Sequence, residues 1–405
     1  MSAITDPPKD GFRPSMLIYD SRYRSMTIQV VALMLFMLGV GWLASNAANN
    51  LAALGKPLGF RFLSDPAGYD ISQRMIEYNS QMSHGRAAIV GLLNTLLVAV
   101  MGCVLATVLG VTIGVLRLSH NWLVARLMTL YIETLRNVPV LLWIVLTMAV
   151  FIESFPRPKD FRGDNATASM YLNDSVALTN RGFYIPRPEF FDGSMIVVLT
   201  FLLSLVAIFV FGKWSKARQE VTGQILPNGW IKLAIFFVPS IIVYFIMGSP
   251  IGLELPALKG FNFKGGFYMR NSLIALWLAL SFYTAAFIAE NVRAGIQAVD
   301  KGQSEAAAAL GLRPNRTMKL VILPQALRVI IPPLISQYLN LTKNSSLAIA
   351  VGYMDVTGTL GGITLNQTGR EMECLLLLML CYLIISLSIS GVMNWYNESV
   401  KLKER

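Results

Sequence analysis

The stretch QSEAAAALGLRPNRTMKLVILP, from Gln303 to Pro324, decides how this chain is read, because it is polar, basic and alanine-rich inside an otherwise apolar sequence. Asp300, followed three residues on by Gln303, has the form of a capping box and predicts a helix starting at about Lys301. Glu305 falls in its early turns, where a carboxylate suits the positive end of the helix dipole, and Ala306 to Ala309 are the best helix formers available. Gly311 follows Leu310 where a C-terminal cap needs the left-handed conformation, and Pro314 stops the helix from continuing. A second helix is predicted over Arg316 to Leu323, interrupted by Pro324 and again by Pro332 and Pro333 before the next apolar run. Helix, tight turn, helix is thus the expected form. A hairpin lying on a membrane surface uses Ala, Gly and Pro in the same way, so composition leaves both a docking element and a passive hairpin open.

The rest of the chain sets the context. Of 405 residues 54% are hydrophobic and only 14% charged, with a mean hydropathy of +0.55, which makes lipid the expected solvent. Cys103, Cys374 and Cys381 lie in apolar runs, the last two seven residues apart on one expected helix and too far apart to bridge. Only His84 and His120 are present, far apart, so a histidine-rich metal site or a histidine-based triad has little to draw on, and neither a cofactor nor a metal is expected.

A membrane span needs about 20 mostly apolar residues, and eight stretches qualify: Thr27–Ser45, Ala87–Leu116, Leu127–Phe151, Ser194–Gly212, Trp230–Met247, Ser272–Glu290, Val329–Val351 and Cys374–Asn394. The first reads as an uncleaved helix, since both its flank and its apolar run are long for a signal peptide. With the N-terminus cytoplasmic, inside segments carry 19 Lys and Arg, among them Lys9, Arg13, Lys401, Lys403 and Arg405, while outside segments carry 13 balanced by 13 acids. That asymmetry places both termini and the alanine-rich loop in the cytoplasm. It also accounts for the net charge of +11 without any nucleic-acid partner. The outside segments Asn46 to Arg86 and Ile152 to Gly193 read as surface loops with little regular structure, the second broken by Pro156, Pro158, Pro186 and Pro188.

Spacing sharpens the loop. Written as E-A-A, three residues, G, nine residues, then I-x-L-P, the pattern fits Glu305, Ala306, Ala307, Gly311, Leu323 and Pro324, with Val321 in place of Ile. This resembles the EAA loop of the membrane-spanning subunits of ABC importers. FIAENVRAGIQAVDKGQ before it, LPQALRVIIPPLISQYLNLTKNSSL after it and YIETLRNVPVLL at Tyr131 to Leu142 are similar to the polar amino-acid uptake subset of these permeases, the HisM-like family. The resemblance covers about Ala87 to Phe151 and Ser272 to Tyr396. Chains enlarged in this way look like permease subunits of the general L-amino-acid transporters.

The resemblance implies an all-α polytopic fold: a five-helix type I permease core plus an N-terminal helix and a two-helix insertion. It divides the chain into 1–86 (N-terminus, first span and periplasmic loop), 87–151 and 272–396 (core, with the coupling loop at 301–324), 152–271 (insertion) and 397–405 (tail). It further implies a bacterial inner-membrane location and a loop that docks in a cleft of a dimeric cytoplasmic ATPase. A second homologous permease subunit, a periplasmic amino-acid-binding protein, the bilayer and an amino-acid substrate complete the expected partners.

Polar groups inside the spans are the other candidates. Arg136 lies nine residues into its expected span, with Asn137 beside it and Glu133 as its natural partner three residues earlier, and a central arginine must face protein or water. Asn340, Lys343, Asn344, Ser345 and Ser346 form the densest polar cluster in any span. Amino acids are zwitterions, so a path for them needs donors and acceptors, which these groups supply; a packing role for Arg136 and a broken helix at Lys343 remain open. Glu290 and Arg293, at helical spacing, read as an ion pair positioning the alanine-rich loop. The nearest fragment to a nucleotide-binding loop, Gly55-Lys56-Pro57, lacks the glycine spacing and the Ser or Thr of that motif. The resemblance accordingly implies that a separate ATPase partner supplies the energy. The competing reading, a secondary transporter driven by an ion gradient, calls for inverted repeats and midplane acids and leaves the loop without a role. An intramembrane enzyme lacks a nucleophile and base pair.

Overall fold

The computed structural model describes residues 16–19, 21–53, 55, 58–163, 166–224 and 226–400. Lys9, Arg13, Lys401, Lys403 and Arg405, counted above toward the basic face, lie outside them, as do Lys56 and Pro57. A short turn of helix, α1 (Met16–Tyr19), leads into α2 (Ser21–Ala53), whose apolar side chains are exposed on every side. That is the surface of a helix solvated by lipid. Helix α3 (His84–Arg117) starts on Ser83, whose Oγ accepts from the Arg86 N–H.

The expected span Leu127–Phe151 is two helices, α4 (Trp122–Asn137) and α5 (Val140–Ser154), separated by Val138 and Pro139 in extended conformations. The proline ring disfavours helical geometry at the residue before it, so the chain breaks there instead of bending. Arg136 is consequently the penultimate residue of α4, not a residue in mid-helix. Helices α6 (Ser194–Thr222) and α7 (Asn228–Ile246) pack on each other as a hairpin. Then come α8 (Asn271–Gln297), α9 (Lys301–Ala309), α10 (Pro314–Thr317), α11 (Leu323–Asn344), α12 (Leu365–Thr368) and α13 (Glu371–Val400). Eight segments among the described residues are long and apolar enough to cross a membrane, matching the number read from the sequence.

Helix α8 is the hub, packed against α3, α4, α5 and α11. In lipid, apolar surface alone gives helices no reason to associate, so tight van der Waals contact must hold them. The sequence supplies it with small residues on facing sides. A Cβ placed on Gly110 of α3 would lie 2.6 Å from Ile288 Cβ, and one on Gly114 would lie 2.7 Å from the Ala289 carbonyl oxygen. Ala285, Ala286 and Ala289 of α8 are buried in return. Gly295 does the same for α11, where a Cβ would meet Ile330.

The segment Ile152–Gly193, expected to be irregular, holds strands that combine with others from the stretch after α7, seven among the described residues. Seven short strands, β1 (Ala177–Thr179), β2 (Gly182–Ile185), β3 (Arg187–Phe190), β4 (Ile251–Glu254), β5 (Ala257–Lys259), β6 (Asn262–Lys264) and β7 (Phe267–Arg270), flank the α6–α7 hairpin. They pair antiparallel as β1-β2-β7, β3-β4 and β5-β6. β1–β2 and β5–β6 are local hairpins, whereas Phe183 of β2 faces Met269 and Pro188 of β3 faces Leu253, partners on opposite sides of the α6–α7 hairpin in sequence. Buried Ala177, Tyr184 and Phe263 form the module's core, and Asn271 at the start of α8 donates its amide to the Asn180 carbonyl at 2.5 Å. Residues 65–83 lack regular elements, yet Ala67, Ile71 and Tyr78 are buried against Ala87 and Val90 of α3.

Between α11 and α13 the chain runs through a 3-10 turn, Ser345–Val351, and a π-helical segment, Thr357–Thr364. Asp355 is fully buried there; its Oδ1 accepts from the Gly358 N–H (2.8 Å) and its Oδ2 from the Tyr382 hydroxyl (3.1 Å). Burial pushes the Asp355 carboxyl up to about 6, an effect these hydrogen bonds only partly offset. Because the folded value exceeds the unfolded one, the stabilising contribution is complete below the ordinary carboxylate range and is lost as pH rises through about 6.

Two outcomes follow for thermal unfolding of the purified protein in detergent. Gly110→Leu should destabilise by about 1–3 kcal/mol through overpacking, while Gly391→Leu, where a Cβ meets nothing within 4 Å, should change little. The midpoint should fall between pH 5 and 7.5 in the native chain, and Asp355→Asn should flatten that dependence; an unchanged slope in the variant would place the titrating group elsewhere.

Candidate coupling loop and transport path

The loop begins as read, with the Asp300 carboxylate accepting from the Gly302 N–H at 2.6 Å. The reciprocal half of the capping box is absent. The Gln303 amide oxygen instead accepts from Gln325 Nε2 at 3.2 Å, tying α9 to the first turn of α11, a partner that becomes available only because the hairpin folds back. At the other end of α9, Gly311 has φ +75°. Its N–H donates to the Ala308 carbonyl (2.9 Å) and that of Leu312 to Ala307 (3.0 Å), a Schellman closure.

The second arm differs from expectation. It starts at Pro314 and is not interrupted before the span: α10 passes through one wide π turn, Met318–Ile322, directly into α11. The Leu323 N–H reaches back five residues to the Met318 carbonyl. Widening the turn by one residue accommodates Pro324, which has no N–H to donate, and Pro332 and Pro333 lie inside α11 without ending it. The loop's second helix and the membrane span are therefore one continuous rod.

Glu305, Ala306 and Gly311 are exposed, Ala307 is buried, Val321 and Pro324 are half-buried and Leu323 is exposed. Glu305 forms no ion pair among the described residues. Leu310 is 81% exposed, and Met318 and Leu320 are also open, an apolar surface beside a free carboxylate.

Glu290 and Arg293 do meet, with Nη2 to Oε1 at 2.5 Å, and Arg293 also donates to Gln297 at 2.5 Å. The second carboxylate oxygen of Glu290 accepts from Arg117. In the sequence Arg117 is only one more cation at the end of an apolar run, yet it fastens the end of α3 to the last turns of α8, immediately ahead of the loop.

The polar groups of the spans fall into two sets. Arg136 is exposed and lies over the Phe287 ring of α8, 5.2 Å from its centroid. Glu133 is not its partner; its carboxylate accepts from Asn137 Nδ2 at 3.4 Å, four residues on along the same face. Asn340 and Lys343 of α11 are exposed, Asn344 is half-buried, and Ser345 is buried with its hydroxyl donating to the Thr342 carbonyl at 2.7 Å. The α-helix ends at Asn344 and tightens into the 3-10 turn, so the cluster splits: Asn340 and Lys343 face outward while Ser345 turns inward. Among the described residues no hydrogen bond or ion pair joins the α4 set to the α11 set; each helix packs independently on α8.

Similarity to known proteins is extensive. The chain is 58% identical to the glutamate/glutamine/aspartate/asparagine transport system permease protein BztB of Rhodobacter capsulatus over the whole of both chains. It is 44% identical to the general L-amino acid transport system permease protein AapQ of Rhizobium johnstonii, over 100% of this chain and 99% of that one. The putative amino-acid ABC transporter permease protein YhdX of Escherichia coli is also 44% identical, over 94% of this chain and 95% of its own. Residues 106–402 match the family described as binding-protein-dependent transport system inner membrane component. That match takes in α4, α5, α8, the hairpin loop and the spans that follow it, and the chain belongs to this family of multi-pass inner-membrane transport components.

Proposed function

We propose that this chain is the transmembrane permease subunit of an ABC transporter that imports amino acids, with broad L-amino-acid specificity, from a periplasmic binding protein. A separate dimeric ATPase drives it, and a second homologous permease subunit completes the pathway. Both termini and the hairpin are cytoplasmic in this reading, which the excess of Lys and Arg on that side supports.

The observation that carries the proposal is the continuity of the hairpin's second arm with α11. A partner gripping exposed Glu305, Leu310, Met318 and Leu320 moves a rod that runs directly into the membrane, while the Gln303–Gln325 bond and the Glu290–Arg293–Arg117 cluster keep the hairpin's base fixed to α8 and α3. Apolar side chains left open on a polar face suit a protein partner better than water. The relatives' names, which include acidic and neutral amino acids, agree with a path that offers cations. Lys343 and Arg136, with Asn340, Asn344, Asn137 and Ser345 beside them, are the groups offered to the substrate carboxylate; Lys343 has no ion-pair partner among the described residues.

Gly311→Arg and Glu305→Lys should leave membrane insertion and expression intact while reducing transport-coupled ATP hydrolysis at least tenfold; co-purification of the ATPase and uptake both at the native level would sink the docking assignment. In reconstituted vesicles, Lys343→Met should raise the half-saturating concentration for glutamate more than that for glutamine. A variant that merely fails to fold would instead place Lys343 in packing.

A further inference from the structure

The strand-bearing module made of residues 152–193 and 248–271 has a role still to be assigned, and its charge is sorted in an unexpected way. Its two segments hold eight Lys and Arg against seven Asp and Glu, so it is nearly neutral overall. Four of those cations, Arg157, Lys159, Arg162 and Arg181, line a single cleft of about 480 Å³, with Asn180 and the ring of Phe261 completing its walls. No carboxylate lines it among the described residues, and none of the four cations forms an ion pair there. The closest acid in sequence, Asp160, lies with Glu153 in an adjoining cavity that Arg157 also lines, its carboxylate accepting from the Arg157 backbone N–H at 2.8 Å.

The cleft is built, not incidental. Pro158 is buried beneath it, Arg162 is held by a bond to the Gly260 carbonyl and lies 5.8 Å from the Phe261 centroid, and the turn carrying Asn180 and Arg181 is fixed by Asn271 at the start of α8. The Asn180 side-chain oxygen is buried with no donor. Phe261 is 87% exposed. Four like charges gathered with no carboxylate lining the cleft among the described residues repel one another, and an anionic partner relieves that repulsion. Clustered arginines beside an open aromatic ring are also the composition of a binding hot spot. The cleft stands at the end of α8 opposite the hairpin loop, since α8 runs from the module at Asn271 to Gln297 beside the loop.

We infer that this cleft is a docking site for an acidic side-chain cluster on the extracytoplasmic binding protein. The inference rests on the import reading above, which puts this end of α8 outside the cytoplasm. Contacts of this kind act mainly on the encounter rate and fade with salt. They also account for what the module gains by sorting its charges.

The test uses the whole transporter in lipid nanodiscs and the purified binding protein of the same transport system, with affinity read by interferometry. The double variant Arg157→Glu/Lys159→Glu should weaken binding at least tenfold at low ionic strength, and the deficit should shrink to about twofold or less near 0.5 M salt, where the screening length is a few ångströms. Lys264→Glu, an exposed cation of the same module outside the cleft, should cost no more than about twofold. A native thermal midpoint in both variants certifies folding. Native affinity in the double variant, or an equal loss from Lys264→Glu, overturns the docking site alone; a native transporter that does not bind the binding protein at all overturns the import reading with it.

Discussion

The contact between α3 and α8 is the constraint on which the rest of this molecule depends. Lipid offers no hydrophobic penalty for leaving Val, Leu and Phe on the outside, and the long exposed faces of α2, α6 and α7 make use of that freedom. Only where glycine on one helix meets alanine on the other can backbones approach closely enough for dispersion to outweigh lipid contact. Gly110 against Ala285 and Ile288, and Gly114 against Ala289, meet that requirement. Once α8 is fixed, the remaining core helices take their positions from it. Its two ends then carry the strand module on one side and the hairpin on the other.

That placement explains why the hairpin is stiff where it joins the membrane and polar where it does not. Glu290 is shared by two arginines from two helices, so the base of the loop is fastened electrostatically to the α3–α8 pair. The two arms are closed on each other by one amide pair and by a Schellman turn. Departure from α-helical geometry in the second arm is confined to one wide turn ahead of Pro324.

Much of this is legible in the residues. Apolar runs give the number of spans, though the third run is divided at Pro139, Gly311 announces a left-handed cap, and Glu290 with Arg293 announces an ion pair, because each depends on neighbours within a turn or two. Other features depend on partners that local pattern does not name. Spacing assigns Gln303 to its own cap, although a fold-back partner 22 residues away captures it. The strands are three or four residues long, and two of their four pairings, β2 with β7 and β3 with β4, cross an intervening helical hairpin, so no alternation long enough to recognise exists in either segment. Pro139 is visible, but whether it bends or breaks a span depends on what receives the two halves, and here α8 receives both. Spacing alone pairs Glu133 with Arg136, whereas the ring of Phe287 on another helix draws the guanidinium away.

The outward-facing Arg136 and Lys343 carry a consequence for how the molecule comes to exist. A guanidinium or ammonium at the centre of a span costs about 2.5–3.5 kcal/mol on insertion scales; Arg136 and Lys343 stand at the ends of their helices, where snorkelling lowers that cost without abolishing it. A neighbouring protein surface, or the wet seam it encloses, removes it. Burying these two charges against a neighbouring protein surface thus favours association over the solitary chain, whatever else the charges do.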